Sequence, residues 1–324
     1  MRMVMVGAGA VGGVIAARLI ESGADVALVA RGAHAEAMRR DGLTLIDPDR
    51  TITVPVRVLN RVGDVGLRPD DLIGLAVKGQ DTEPVLDELA GLDVEAPIAC
   101  FQNGVANERN AARRFATVLG VVVMLPAVHR VPGRVEAYSS PIPGLFDVGR
   151  YPSGSDAVCE RLVALLAEAG FDARVVPDVM RWKYTKLLMN VGNAVEALCG
   201  LDRDGIELVV RARNEAREVF DRSGIEYATD DEERARRGSL LQPGEIGGHA
   251  RPGGSSWQSL ARGTGTIEAE YLNGEIVRLG RNHGIATPVN ELVLREAVVA
   301  AADRVPPASV PAATLLARLD ASLG

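Results

Sequence analysis

The sequence predicts an α/β protein: an N-terminal Rossmann-type doubly wound parallel sheet followed by an all-helical C-terminal domain. Three observations lead there. Gly7-Ala8-Gly9-Ala10-Val11-Gly12 follows directly on an apolar strand and opens a helix. Short apolar runs then alternate with helix-like segments through the first half of the chain. After Pro177 the alternation stops and helix patterns take over.

The runs Met3–Val6, Asp25–Ala30, Leu72–Val77, Pro97–Phe101 and Val118–Met124 are rich in Val, Ile and Leu. Runs of this kind suit strands covered on both faces, as in a parallel sheet. Helix patterns lie between them at Val11–Ser22, His34–Asp41, Thr82–Leu89 and Asn107–Phe115. Arg134–Ser140 and Leu145–Val148 read as antiparallel additions to one edge. Beyond Pro177, Asp178–Cys199, Arg203–Ser223, Ile267–His283 and Asn290–Asp303 read as helices. The boundary falls at 177/178, giving a dinucleotide-binding domain over 1–177 and a helical substrate and catalytic domain over 178–324. The segment 230–256, charged and then rich in Gly and Pro, reads as a mobile loop and a candidate lid. The tail after Arg304 begins Val-Pro-Pro-Ala-Ser-Val-Pro, which cannot continue a helix, and is expected to be flexible.

A length of 324 residues allows two domains with their own cores. With 47% hydrophobic and 24% charged residues the composition is that of a soluble globular protein. A net charge of −7 argues against a nucleic-acid-binding face and gives no reason to expect a membrane surface. No apolar stretch is long enough to span a bilayer, and the N-terminus does not read as a signal peptide. Cys100, Cys159 and Cys199 form no CxxC pair and fit reduced thiols in the cytoplasm. The four histidines are dispersed, so no metal-ligand spacing appears.

In a chain with 35 glycines a lone glycine turn is weak evidence, but here strand, turn, helix and second strand follow in the required order. Gly7 permits the tight turn, Gly9 lets the backbone approach a pyrophosphate, and Gly12 lets helix and strand pack closely. With Ala10 and Val11 the helix start offers N–H groups and a favourable dipole to phosphates. A carboxylate at the end of the second strand would select NADH, but Arg31 stands there, a guanidinium suited to a 2′-phosphate. NADPH is therefore the expected cofactor, with a merely solvated Arg31 as the alternative. Lys78 and Gln80 follow the strand 72–77, and Asn103 follows 97–101. The carboxyl ends of these strands should line the same crevice. Lys78 would meet a phosphate or ribose and Asn103 the nicotinamide ribose or substrate; both also read as ordinary polar groups at strand ends.

Within the apolar stretch Trp182–Val195, Lys186, Asn190 and Asn193 stand at i, i+4 and i+7, a narrow arc of one helix face. A lysine with two asparagines among Leu, Met and Val suggests polar groups facing a cleft, though an amphipathic helix with a small wet side fits too. Hydride delivery to a ketone leaves negative charge on oxygen, which a lysine ammonium can stabilise and protonate. Glu268, near the start of the 267–283 helix, could orient a substrate hydroxyl or pair with Lys186, or serve only as a helix-dipole partner.

On these residues the sequence resembles the ketopantoate reductase family (2-dehydropantoate 2-reductases). The resemblance rests on the turn 7–12, Arg31, Lys78 with Gln80, and Gln102-Asn103-Gly104. It continues through Trp182, Lys186-Leu187, Asn190, Ser255-Ser256, the run Glu268-Ala269-Glu270-Tyr271-Leu272-Asn273-Gly274, and residues 283–288. It covers the chain to about Asn290. It implies a Rossmann domain and a helical domain with the active site in the cleft between them. It also implies Lys186 as the general acid holding the keto oxygen and Glu268 as the ligand of the substrate hydroxyl. Asn103, Asn190 and Ser256 then become contacts to cofactor or substrate. The chain departs from the family pattern at Ala194, where a second asparagine is often found one residue after this chain's Asn193. It departs again at Gly253, in place of an asparagine, and at Trp257-Gln258-Ser259. These positions surround the substrate. The expected activity is NADPH-dependent reduction of a branched 2-oxo acid, 2-dehydropantoate to pantoate in pantothenate biosynthesis. A family reductase for a different 2-oxo or hydroxy acid and a non-catalytic NADPH-binding sensor stay open, as does a homodimer.

Overall fold

The computed structural model describes residues 1–92 and 95–323. The chain divides into two units, one built from 1–102, 107–182 and 230–251, the other from 103–106, 183–229 and 252–324. The change-over near 182/183 lies within a helix, five residues beyond the boundary expected from the sequence.

In chain order the first unit runs β1 (Arg2–Val6), α1 (Ala10–Glu21), β2 (Val26–Val29), α2 (Gly32–Asp41), β3 (Leu43–Ile46), β4 (Thr51–Val54), β5 (Arg57–Leu59), β6 (Asp71–Leu75) and α3 (Thr82–Ala90). It continues with β7 (Ile98–Cys100), α4 (Asn107–Ala111), β8 (Val118–Met124), β9 (Ala127–Val128), β10 (Arg134–Ala137), β11 (Leu145–Arg150), α5 (Ala157–Glu168) and β12 (Asp172–Val175). Eight strands form one sheet in the order β12-β11-β8-β7-β6-β1-β2-β5, parallel throughout except where β11 meets β8. The alternation along β1 explains the apolar runs. Met3 and Met5 pack with α1 residues such as Ile15 and Leu19, whereas Val4 and Val6 pack with α3 residues Leu86 and Leu89. Both faces are covered, so a polar residue in the strand needs a partner, as Arg2 has in Asp71 at 2.6 Å.

A second sheet, β4-β3-β10-β9, packs on α1. Gly13 allows the approach, since a Cβ there would lie 2.7 Å from the Val135 side chain. Two edge readings change here. Arg134–Ala137 belongs to this small sheet, parallel to β3, and 145–150 is an interior strand of the large one, with β12 beyond it.

The second unit takes up the chain inside α6 (Val179–Asn190), followed by α7 (Asn193–Cys199) and α8 (Arg203–Arg222). α9 (Asp230–Arg237) then belongs to the first unit. The second unit resumes with α10 (Ser255–Ala261), α11 (Asn273–His283), α12 (Pro288–Ala302) and α13 (Ala312–Leu323). Two expectations are corrected. The segment 230–256 is not a free loop: Arg236 of α9 is buried, donates to Asp147 at 2.7 Å and pairs with Asp172 at 2.7 Å. Further on, Gly244 N–H donates to the Tyr138 carbonyl at 3.0 Å. The tail is not loose either, because α13 buries Leu315 and Leu319 and packs on α8, where Arg211 pairs with Asp320 at 2.8 Å.

Candidate functional site

Because β1, β2, β6 and β7 are parallel, their carboxyl ends lie at one edge of the large sheet. The chain leaves β1 for β2 on one side and returns to β6 on the other, which makes this edge a topological switch point. Gly7–Gly12, Arg31, Lys78 and Gln80 all follow these strand ends. The three glycines of the turn differ in what requires them. Gly7 has φ +101, and a Cβ on it would sit 2.8 Å from the Ala76 and Val77 backbone. A Cβ on Gly12 would sit 1.9 Å from the Gly7 carbonyl oxygen. A Cβ on Gly9 would meet nothing within 4 Å. The protein's own packing demands the first and third, whereas the open space at the second fits a molecule from outside. Ala10 and Val11 open α1, each half-buried.

Arg31 is exposed, precedes α2, and points its Nε at the Asn60 carbonyl at 3.4 Å. It lines a cavity of about 620 Å³ with Arg39, Arg61, Glu36 and Glu88. Arg39 and Arg61 were not singled out from the sequence; they come from α2 and from the segment after β5, which the sequence reading passed over. Lys78 and Gln80, both half-buried, occupy the turn into α3. Thr82 Oγ1 donates to Asn107 Oδ1 at 2.9 Å and receives Gln102 Nε2 at 2.8 Å, while Gln102 Nε2 also meets the Val77 carbonyl at 2.8 Å. That network holds the strand end. Gln80 Oε1 is buried with no hydrogen-bond partner among the described residues, an orphan that a bound ligand could satisfy.

In the second unit, Asn190 Nδ2 donates to Asn103 Oδ1 at 3.1 Å, joining predicted residues 87 positions apart. Asn190 is 5% exposed and Lys186, one turn earlier in α6, is half-buried. The neighbouring Gly104 has φ +79, and a Cβ there would lie 3.0 Å from the Tyr271 carbonyl. This close approach brings Asn103 to the 3-10 turn Glu268–Tyr271, in which Glu268 is 7% exposed. Glu268 thus stands in a 3-10 turn; the continuous helix expected over 267–283 breaks at Leu272.

The helix expected over 178–199 is also two helices, broken at Val191-Gly192. At the break the Val191 carbonyl accepts Asn273 Nδ2 at 3.0 Å, and Asn273 also donates to Asn290 at 2.9 Å. The break therefore separates Asn193 from the helix that carries Lys186. Asn193 instead opens α7 beside Gly254, where its Oδ1 would lie 3.8 Å from an added Cβ. Gly254 N–H donates to Glu196 at 3.1 Å, a carboxylate the sequence reading missed. Ser256, two residues on, is 1% exposed, and its Oγ has no hydrogen-bond partner among the described residues. The departures at Gly253 and Trp257 prove to be one feature. Gly253 has φ +147, and a Cβ on it would lie 2.7 Å from the Trp257 ring.

Among the described residues no group of three or more His, Cys, Asp or Glu side chains could hold a metal ion, and no helix is long and apolar enough to cross a membrane. The three cysteines are free; burial and Asp202 push the Cys199 thiol up to about 11.

The family profile described as "Ketopantoate reductase PanE/ApbA" matches residues 3–152, and that for its C terminal matches 178–299. A curated relative from Archaeoglobus fulgidus, named 2-dehydropantoate 2-reductase, is 30% identical over 302 residues, 90% of this chain and 95% of that protein. The crystal structure of a PanE/ApbA family ketopantoate reductase from Ralstonia eutropha superposes with a TM-score of 0.78 at 24% identity, covering 94% of this chain and 99% of that one. D-mandelate dehydrogenase with NADH and anilino(oxo)acetate shares the fold at a TM-score of 0.76 and 24% identity, again over 94% of this chain and 99% of that one. With both halves matched in order, the chain belongs to the ketopantoate reductase family and is an oxidoreductase of that family.

Proposed function

We propose that the protein reduces 2-dehydropantoate to pantoate with NADPH, with Lys186 as the general acid. The observation that carries the reading is the Asn190–Asn103 hydrogen bond one turn from Lys186, which gathers a cation and two neutral amides on one spot. When bound, the nicotinamide supplies a hydride to the keto carbon. Lys186 Nζ faces the charge that develops on the keto oxygen and transfers a proton to it, then regains one from solvent. The amides of Asn103 and Asn190 orient without adding charge. Glu268 accepts a hydrogen bond from the substrate hydroxyl, and the buried Ser256 hydroxyl, with Asn193 nearby, completes the substrate contacts. Gly7, Gly9, Ala10, Val11 and Gly12 seat the pyrophosphate. Arg31 meets the 2′-phosphate, Lys78 and Gln80 the adjoining phosphate and ribose, and Asn103 the nicotinamide ribose. The free thiols and the chain's composition suit a cytoplasmic enzyme.

A second reading is favoured by one observation: the Trp257 indole packs against Gly253, where the family pattern has an asparagine. In that reading the enzyme takes a 2-oxo acid with a different side chain. An NADPH oxidation assay over a panel of 2-oxo acids that includes 2-dehydropantoate tests both. Fastest turnover of 2-dehydropantoate supports the first, and preference for another acid the second. Tight NADPH binding with no turnover of any acid would leave a sensor.

A further inference from the structure

His34 lies in α2, outside every motif discussed above, yet both of its ring nitrogens are committed to backbone groups. Its Nε2 lies 2.8 Å from the Ala8 carbonyl oxygen, inside the glycine turn. The Gly133 N–H donates to its Nδ1, also at 2.8 Å. A carbonyl can only accept and an N–H can only donate, so the pair determines the tautomer: Nε2 carries the proton and Nδ1 is bare. The ring is neutral. A second proton on Nδ1 would face the Gly133 N–H directly.

The Ala8 carbonyl belongs to the same peptide unit as the Gly9 N–H. In a planar trans peptide the two point in opposite directions. A side chain that fixes the carbonyl therefore also fixes the direction of the Gly9 N–H, and a Cβ added to Gly9 would meet nothing within 4 Å. Gly13 leaves room for this arrangement, since its own Cβ would come within 2.9 Å of the Ala8 oxygen. The His34 ring also packs against His129, with centroids 4.0 Å apart and the ring planes tilted by 41°.

We infer that neutral His34 is a positioning residue for the dinucleotide, holding the Ala8–Gly9 peptide so that the Gly9 N–H faces the pyrophosphate. The inference rests on the dinucleotide reading of the turn and goes beyond it, because it ties cofactor affinity to the protonation of one imidazole. Burial lowers the His34 pKa from its ordinary value, and the Ala8 hydrogen bond opposes that shift. The sign follows. The ring is neutral at physiological pH, and acid that protonates it breaks the Gly133 contact and weakens cofactor binding. The ionisable groups near it are His129 in the tilted ring contact, Arg130 and Arg134 on the segment that supplies Gly133, and Glu36 on its own helix. Both arginines pair with Glu136, at 3.2 and 3.6 Å. The turn 7–12 contains no ionisable side chain.

The test is the dissociation constant of NADP+, which survives acid, measured by tryptophan fluorescence between pH 7.5 and 5 on the whole protein. The variants are His34→Gln and His34→Ala. The glutamine amide can still donate to the Ala8 carbonyl but does not titrate. The difference between curves is the readout, because the 2′-phosphate titrates in the same range with every protein. Toward acid the unaltered protein should lose more affinity than H34Q, while H34Q stays within about threefold of it at pH 7.5 and H34A binds at least tenfold more weakly there. Superimposable pH curves for the unaltered protein and H34Q would overturn the inference, as would H34A binding as tightly as either. Should H34A fail to fold, judged by thermal unfolding, the H34Q comparison decides alone. Failure of the unaltered protein to bind NADP+ or NAD+ at any pH would overturn the dinucleotide reading together with this inference.

Discussion

The glycine turn of the first unit and the Lys186 constellation of the second are built on opposite plans. The turn is contiguous: six residues, one strand end and one helix start carry it, and the steric reason for Gly7 and Gly12 is found within that unit. The constellation is dispersed. Asn103, Lys186, Asn190 and Glu268 come from three separated segments, with close contacts beside them such as Gly104 against Tyr271 and Asn273 at the helix break. A contiguous site depends on backbone shape and fails when a side chain is added. A dispersed site depends on side-chain chemistry and fails when a side chain is removed.

Substitutions test that contrast. The largest effect should come from Lys186→Ala, with turnover falling by at least about 100-fold and cofactor affinity nearly unchanged. Unchanged turnover would remove Lys186 from the reaction. In the turn, Gly12→Ala must push a Cβ into the Gly7 carbonyl and should lower stability by about 1–3 kcal/mol or more, seen as a lower Tm. Gly9→Ala meets no protein atom, so Tm should hold while cofactor affinity falls. If the two glycine variants lose stability equally, the division of labour in the turn is wrong. Arg31→Ala should weaken NADPH by about ten- to a hundredfold, as expected for a lost charge-assisted contact, and NADH much less. Equal losses would point to the adenosine pocket as a whole and away from the 2′-phosphate. The smallest effect concerns Cys199. Its thiol, pushed up to about 11, stays protonated at neutral pH, so iodoacetamide should label it far more slowly than a free cysteine peptide.

The glycine turn and its surrounding strands were legible because their signal is local. An apolar strand, three spaced glycines and an arginine at the next strand end can be read without knowing anything distant. The β3–β4–β5 stretch was missed although a signal was present. Leu43–Ile46 and Thr51–Val54 flank Asp47-Pro48-Asp49-Arg50, a turn composition between two β-branched runs. The helix break before Asn193 escaped the sequence for a different reason. Helical periodicity continues through Val191 and Gly192, and the break there is stabilised by Asn273, 82 residues away. Propensity within the segment contains no trace of that partner.

By itself the sequence determined the βαβ unit around the glycine turn, the parallel strands β1, β2, β6, β7 and β8, and the identity of the chemical groups available. Each of those follows from the backbone and the side chains next to it. Tertiary structure alone decided that Asn103 meets Asn190, that Glu196 caps the Gly254 turn beside Ser256, and that His34 grips the Ala8 carbonyl. These are hydrogen bonds between groups 26 to 87 residues apart. Their existence depends on how strands and helices pack, and no local pattern encodes the distance between two elements that meet only when folded.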